Sequence, residues 1–288
     1  MKALYRTADS QAEIRSWCID RLGSSELRHR RSEISTAAGS TSVVTAGPPA
    51  RATEPTVVLL PGTNMNTATS LPFVGALAAR RHTVALDVPG QPGLSCGQRP
   101  ATGRMNWYAS WLDEALRRSV SGPVVVVGHS LGGAIALACA SPQITGRVLL
   151  STAGLARLRL PPAVLAATVP WLVRPSVPHA ARLLERLVAP GREPSPELVR
   201  WMDGVSRHSR TTLAPAPLAP GLLARRRAVP SLVATGQHDV FLPPRVLGPA
   251  ARRHLGSELH VVETAGHLLP EEEPEQVATL VEEFATGL

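Results

Sequence analysis

The sequence predicts an α/β fold: a mostly parallel central β-sheet flanked by helices, with one helical insertion over its edge. Three observations predict it. Six short runs rich in valine and leucine end in turn residues, and helical patterns lie between most of them. The alternation then breaks once, over residues 153–229, where about four helical stretches are punctuated by eleven prolines. A structureless loop of that length is uncommon, so the break is expected to carry its own helices.

In chain order, residues 9–22 read as a short amphipathic helix, with Ile14, Trp17, Cys18, Ile19 and Leu22 near helical spacing. Two β-type runs follow in residues 32–47, turning at Ala38-Gly39, and breakers at Gly47-Pro48-Pro49 mark a loop. Thr56–Gly62 (TVVLLPG) is the first continuous apolar run, as expected of a strand buried on both faces. His82–Gly90, Gly122–Ser130, Gly146–Thr152, Pro230–Gly236 and Ser257–Thr264 repeat that form. Helical patterns cover Leu71–Arg80, Asn106–Arg118, Ser130–Ala140 and Glu275–Phe284. Residues 1–152 and 229–288 therefore read as the core domain, and residues 153–228 as a helical cap over the C-terminal strand ends, where open α/β sheets bind ligands. Within the cap, Ala163–Val173 with Trp171 and the later Leu213–Leu223 are apolar enough to line an acyl pocket.

Composition narrows the class. With 44% hydrophobic and 18% charged residues in a chain of 288, a sizeable core is expected, and disorder and coiled coils are disfavoured. No apolar run reaches the roughly 18 residues of a spanning helix, and the first thirty residues lack the pattern of a secretory signal. A cytoplasmic location is the expectation. Cys18, Cys96 and Cys139 form neither a disulfide framework nor a metal pair. The net charge of +8 is concentrated: residues 151–228 hold twelve arginines against Glu185, Glu193, Glu197 and Asp203. A solvated surface explains this, as does attraction of an anionic substrate or acidic carrier. Without interleaved stacking aromatics or a recognisable module, nucleic acid is not an expected partner.

The chemistry gathers at strand ends. Gly128-His129-Ser130-Leu131-Gly132 follows a four-valine run and opens a small-residue helix, the strand–turn–helix setting of a G-x-S-x-G nucleophile elbow. The turn is so tight that residues two before and two after the serine must lack bulk. A serine hydroxyl needs a base at neutral pH. Asp239 follows the run ending at Gly236, and His267 follows the last run, so Ser130, Asp239 and His267 fall in that order at C-terminal strand ends of one sheet. His129 is expected to point away from the serine, and His238 to make a loop contact. His82, His179 and His208 have no partner spacing that suggests a metal, and no metal is expected. Gly62, Gly90 and Gly93 form neither a dinucleotide fingerprint nor a Walker loop, so no nucleotide cofactor is expected. Trp107, Tyr108 and Trp111 read as helix packing.

On these residues the chain resembles the α/β-hydrolase fold superfamily from about residue 31 to its end. Leu60-Pro61-Gly62-Thr63 resembles the family's oxyanion loop, and Asp87–Ser95 is similar to its Asp-x-x-Gly-x-Gly-x-Ser loop, one residue longer. The resemblance implies Ser130 as nucleophile, His267 as general base and acid, and Asp239 as the group orienting the imidazolium. It also implies an oxyanion hole built from the Thr63 and Leu131 amides. Pro61 stands where the family usually has a histidine that braces this loop, so Asn64 is considered as a further donor. The expected activity is hydrolysis of a carboxylic ester or thioester through an acyl-enzyme. A biosynthetic thioesterase or acyltransferase, a cofactor-free perhydrolase, a carbon–carbon bond hydrolase and a non-catalytic small-molecule receptor are the alternatives. The oligomeric state is open.

Overall fold

A computed structural model describes residues 1–210 and 215–288. Leu213 and the residue after it, the start of one apolar stretch noted above, lie outside the described residues. Eight strands form one sheet: β2 (His29–Thr36), β3 (Gly39–Ala46), β4 (Thr56–Leu60), β5 (Thr83–Leu86), β7 (Val124–His129), β8 (Ile144–Leu150), β9 (Ser231–Gly236) and β10 (Leu259–Val262). Their order is β10-β9-β8-β7-β4-β5-β3-β2. Strands from β5 through β4 to β10 pair in parallel, and the β2–β3 hairpin joins antiparallel at the β5 edge. Two-residue strands β1 (Lys2–Ala3) and β6 (Gln98–Arg99) pair separately.

The continuous apolar runs are explained by burial on both faces. Val57, Leu59, Val125 and Val127 face one core with α2 (Leu71–Ala78) and α11 (Pro274–Thr286), joined by α10 (Leu269–Glu272). Val58, Leu60, Val124 and Val126 face the other. That second core is covered by α3 (Arg104–Ser119), α4 (Leu131–Ala138), α8 (Pro220–Arg226) and α9 (Pro244–Leu255). In α3 the buried positions Tyr108, Trp111, Leu112, Ala115 and Leu116 repeat at helical spacing, and the Trp111 indole donates to the Thr41 hydroxyl at 2.9 Å.

The long insertion folds as helices, as its prolines and length suggest. α5 (Pro162–Val173), α6 (Val177–Glu185) and α7 (Pro196–His208) pack on one another, and α7 also meets the N-terminal α1 (Ala8–Gly23). Three of them begin with Pro at the first or second helical position, where no amide partner is lost. The last helix, α8, returns to α4 and α9 on the flank of the sheet. Helix α9 between β9 and β10 is not anticipated by the sequence reading; Gly248 and Pro249 interrupt its pattern, although Leu247, Ala251 and Leu255 still bury one face.

Part of the arginine excess is structural. Arg147, buried against α4, donates to the carbonyls of Ala136 and Cys139, while Arg226 donates to those of Leu137 and Ala138. Two cations thus satisfy four consecutive carbonyls at the C-terminus of α4, where the helix dipole is negative. Burial draws the Arg147 pKa down to about 10, still far above neutrality.

Candidate active site

Parallel pairing in register sets the strand ends level. Leu60 stands opposite Gly128, His129 opposite Leu150, and Val262 opposite Gly236. The segments after β4, β7, β9 and β10 therefore emerge along one edge, and they carry Thr63, Ser130, Asp239 and His267.

Ser130 links β7 to α4 with φ +49° and ψ −107°, a conformation costing about 1–3 kcal/mol for a residue with a side chain. The surroundings hold it there. Its amide donates to the Leu150 carbonyl at 2.9 Å, and its carbonyl accepts from the Ala153 amide at 3.1 Å. Glycine is required on either side: a Cβ on Gly128 would lie 2.5 Å from the Gly132 carbonyl carbon, and one on Gly132 would lie 2.1 Å from the Leu60 carbonyl oxygen.

Asp239 and His267 meet. His267 Nδ1 lies 3.0 Å from Asp239 Oδ2 and 3.1 Å from Oδ1, and both residues are buried. The carboxylate also accepts from the amides of Phe241 and Leu242, each at 2.9 Å, and from the Thr235 hydroxyl at 3.1 Å. Burial pushes its pKa up, but the His267 charge and hydrogen bond and the Leu242 amide outweigh that and hold it near about 2. Asp239 is thus a fixed anion at neutral pH, and the imidazole is held by Nδ1 with Nε2 left for other chemistry. The ring packs edge-on against Phe241, centroids 4.8 Å apart.

His129 makes a contact the sequence does not show: Nε2 lies 2.8 Å from the His267 carbonyl oxygen, and the two rings are 5.3 Å apart. Burial, with the neighbouring His267 ring, pushes its pKa down to about 3, so it is neutral and donates from Nε2. The residue preceding Ser130 therefore braces the backbone of His267. Glu272 adds a second brace, accepting from the Gly266 amide at 2.9 Å and from the Ala189 amide of the insertion at 2.7 Å.

The loop after β4, which carries Pro61 where the resemblance implies a histidine, is held by other groups. The Asn64 amide donates to Gln91 Oε1 at 3.0 Å, the Trp201 indole donates to the Asn64 carbonyl at 2.7 Å, and Asn64 itself sits at φ +63°. The Asn64 backbone amide is therefore engaged by Gln91. The Thr63 and Leu131 amides carry no hydrogen bond among the described residues. Asp87 anchors the neighbouring loop, accepting from the Thr67 amide and hydroxyl and from the Leu94 amide. Gln91 lies in the Asp87–Ser95 loop that the sequence singles out, but its contact with Asn64 is not visible there, and Trp201 belongs to no motif.

A cavity of about 580 Å³ opens beside Leu131, lined by Gln91, Arg104, Tyr108, Pro217, Leu218 and Leu222 among others. The later apolar stretch of the insertion thus contributes to it. Ala163–Val173 does not: Val164, Ala167 and Trp171 pack within the inserted helices. Of the other histidines, His238 is exposed, His82 and His179 meet backbone carbonyls of Pro48 and Arg174, and His208 meets the Ser10 hydroxyl. Among the described residues, no three of His, Cys, Asp or Glu are grouped so as to hold a metal ion.

Comparison with known proteins agrees with this architecture. The model of the Alpha/beta hydrolase family matches residues 57–280. The lipase LipV of Mycobacterium tuberculosis (strain ATCC 25618 / H37Rv) is 32% identical over 237 residues, 69% of this chain and 85% of LipV. The structure is similar to that of carboxylesterase CesB (YbfK) from Bacillus subtilis, with a TM-score of 0.80 at 21% identity over 98% of this chain and all of CesB. It is also similar to naproxen esterase (carboxylesterase NP) from Bacillus subtilis: TM-score 0.79, 21% identity, 97% of this chain and 99% of that one.

Proposed function

Given that the chain belongs to the alpha/beta hydrolase family, we propose that it is a serine hydrolase that cleaves carboxylic esters through an acyl-enzyme on Ser130. The observation that carries this reading is the pairing of a buried, ionised Asp239 with His267 Nδ1 beside a strained serine turn. In the proposed reaction Ser130 Oγ attacks the ester carbonyl while His267 Nε2 takes its proton. Asp239 stabilises the imidazolium, and the Thr63 and Leu131 amides receive the oxyanion. His267 then protonates the leaving alcohol and activates a water that releases the acid. The Leu131 amide is the first of α4, so the helix dipole favours the same developing charge.

In this reading residues 153–228 act as a cap, and the cavity at Leu131 receives the substrate. Its wall combines Pro217, Leu218 and Leu222 with Arg104, which makes no ion pair among the described residues. Purified protein is expected to hydrolyse p-nitrophenyl acetate and butyrate, with matched thioesters and lactones run beside them. Turnover of thioesters alone would move the assignment to a thioesterase. No turnover of any acyl compound would support the receptor reading.

A further inference from the structure

The described residues include nine large apolar side chains that are well exposed, and they are not scattered. Five of them, Leu160, Leu165, Val169, Val173 and Val177, fall within 160–177; the other four are Met1, Ile19, Val261 and Leu288. Leu165, Val169 and Val173 are four residues apart on α5 and form one stripe, with Leu160 just before the helix and Val177 opening α6 after it. Their exposures run from 45% to 68%.

This stripe is not the packing face of α5. Val164, Ala167 and Trp171 take that part, and the Trp171 indole donates to the Met202 carbonyl at 2.9 Å, which fixes the helix about its axis. A helix of a soluble domain ordinarily turns a polar face outward, but α5 carries no charged residue. Its flanks do, and with one sign. Arg157, Arg159, Arg174 and Arg182 are exposed, and no Asp or Glu occurs from residue 151 to 184. None of these four guanidinium groups makes an ion pair among the described residues.

We propose that the α5 face docks this protein onto anionic lipid surfaces. Leu165, Val169 and Val173 would enter the boundary between headgroups and acyl chains, with the flanking arginines on the lipid phosphates. Charge selects this occupant over a second copy of the chain. A two-fold contact through the stripe would bring the same arginines together with no acid from this segment to offset them. At 12 residues α5 is too short to span a bilayer, and no helix among the described residues is long and apolar enough to do so. The helix therefore lies on the surface.

The full chain tests this by co-sedimentation with vesicles of phosphatidylcholine alone or mixed with phosphatidylglycerol. Binding to the mixed vesicles is expected, falling as salt rises. Leu165→Asp/Val169→Asp should weaken it at least about tenfold, and Arg157→Glu/Arg159→Glu should abolish the preference for the anionic lipid. All variants should keep wild-type turnover of a water-soluble ester, since none of these residues belongs to the site; that readout also reports folding. Equal partitioning of wild type and the Leu165→Asp/Val169→Asp variant overturns the proposal. So does a dimer in vesicle-free solution that this variant dissociates.

Discussion

Ser130→Ala is expected to lower kcat on a short p-nitrophenyl ester by on the order of 10⁶-fold, the loss typical of removing a serine nucleophile. What survives reflects only binding and the oxyanion amides. The substitution leaves the fold in place, because alanine keeps the Cβ and the turn is held through the Ser130 backbone by Leu150 and Ala153. Melting temperature should move by no more than about 2 °C, since no buried partner of the hydroxyl is stranded. Stopped assays with purified variant and matched calorimetry separate the two effects.

Asp239→Asn is expected to cost about 10³–10⁴ in kcat, and the hydrogen bonds say why. The Phe241 and Leu242 amides both donate to Oδ1, so the asparagine carbonyl must occupy that position. Its NH2 group is then forced toward Thr235 and His267. Against an NH2 donor, His267 Nδ1 has to be the acceptor, which places the ring proton on Nε2. That tautomer cannot receive the serine proton. The same residue gives a stability prediction. Its folded pKa of about 2 lies below the ordinary 3.8, so the ionised form favours the folded state. That contribution, about 2 kcal/mol, is complete above about pH 4 and is lost as pH falls through about 2. Acid titration of stability should show this slope in the wild type, and Asp239→Asn should lack it.

Much of this architecture is legible in the sequence because the pattern and the physics coincide. Strands buried on both faces must be continuously apolar, and TVVLL and VVVV can hardly be anything else. The Gly-x-Ser-x-Gly spacing is readable because the backbone at Gly128 and Gly132 leaves no room for a Cβ. Asp239 and His267 were placed by position at the ends of strands. What was not legible is the support around them. His129, Gln91, Trp201 and Glu272 act through contacts between segments far apart in the chain, which no local pattern encodes. The arginine excess illustrates the same limit: Arg226 looked like surface charge and instead closes the end of α4 with Arg147. Helix α9 was hidden by its own glycine and proline, which tertiary packing against β9 and β10 overrides.

The most direct measurement is covalent capture. Wild-type protein, treated with a fluorophosphonate and digested for mass spectrometry, should carry one adduct per chain on the Ser130 peptide. His267→Ala should label at least about 10²-fold more slowly, because its serine has lost its base. An adduct on another serine, or full ester turnover from protein that never labels at Ser130, would contradict the account.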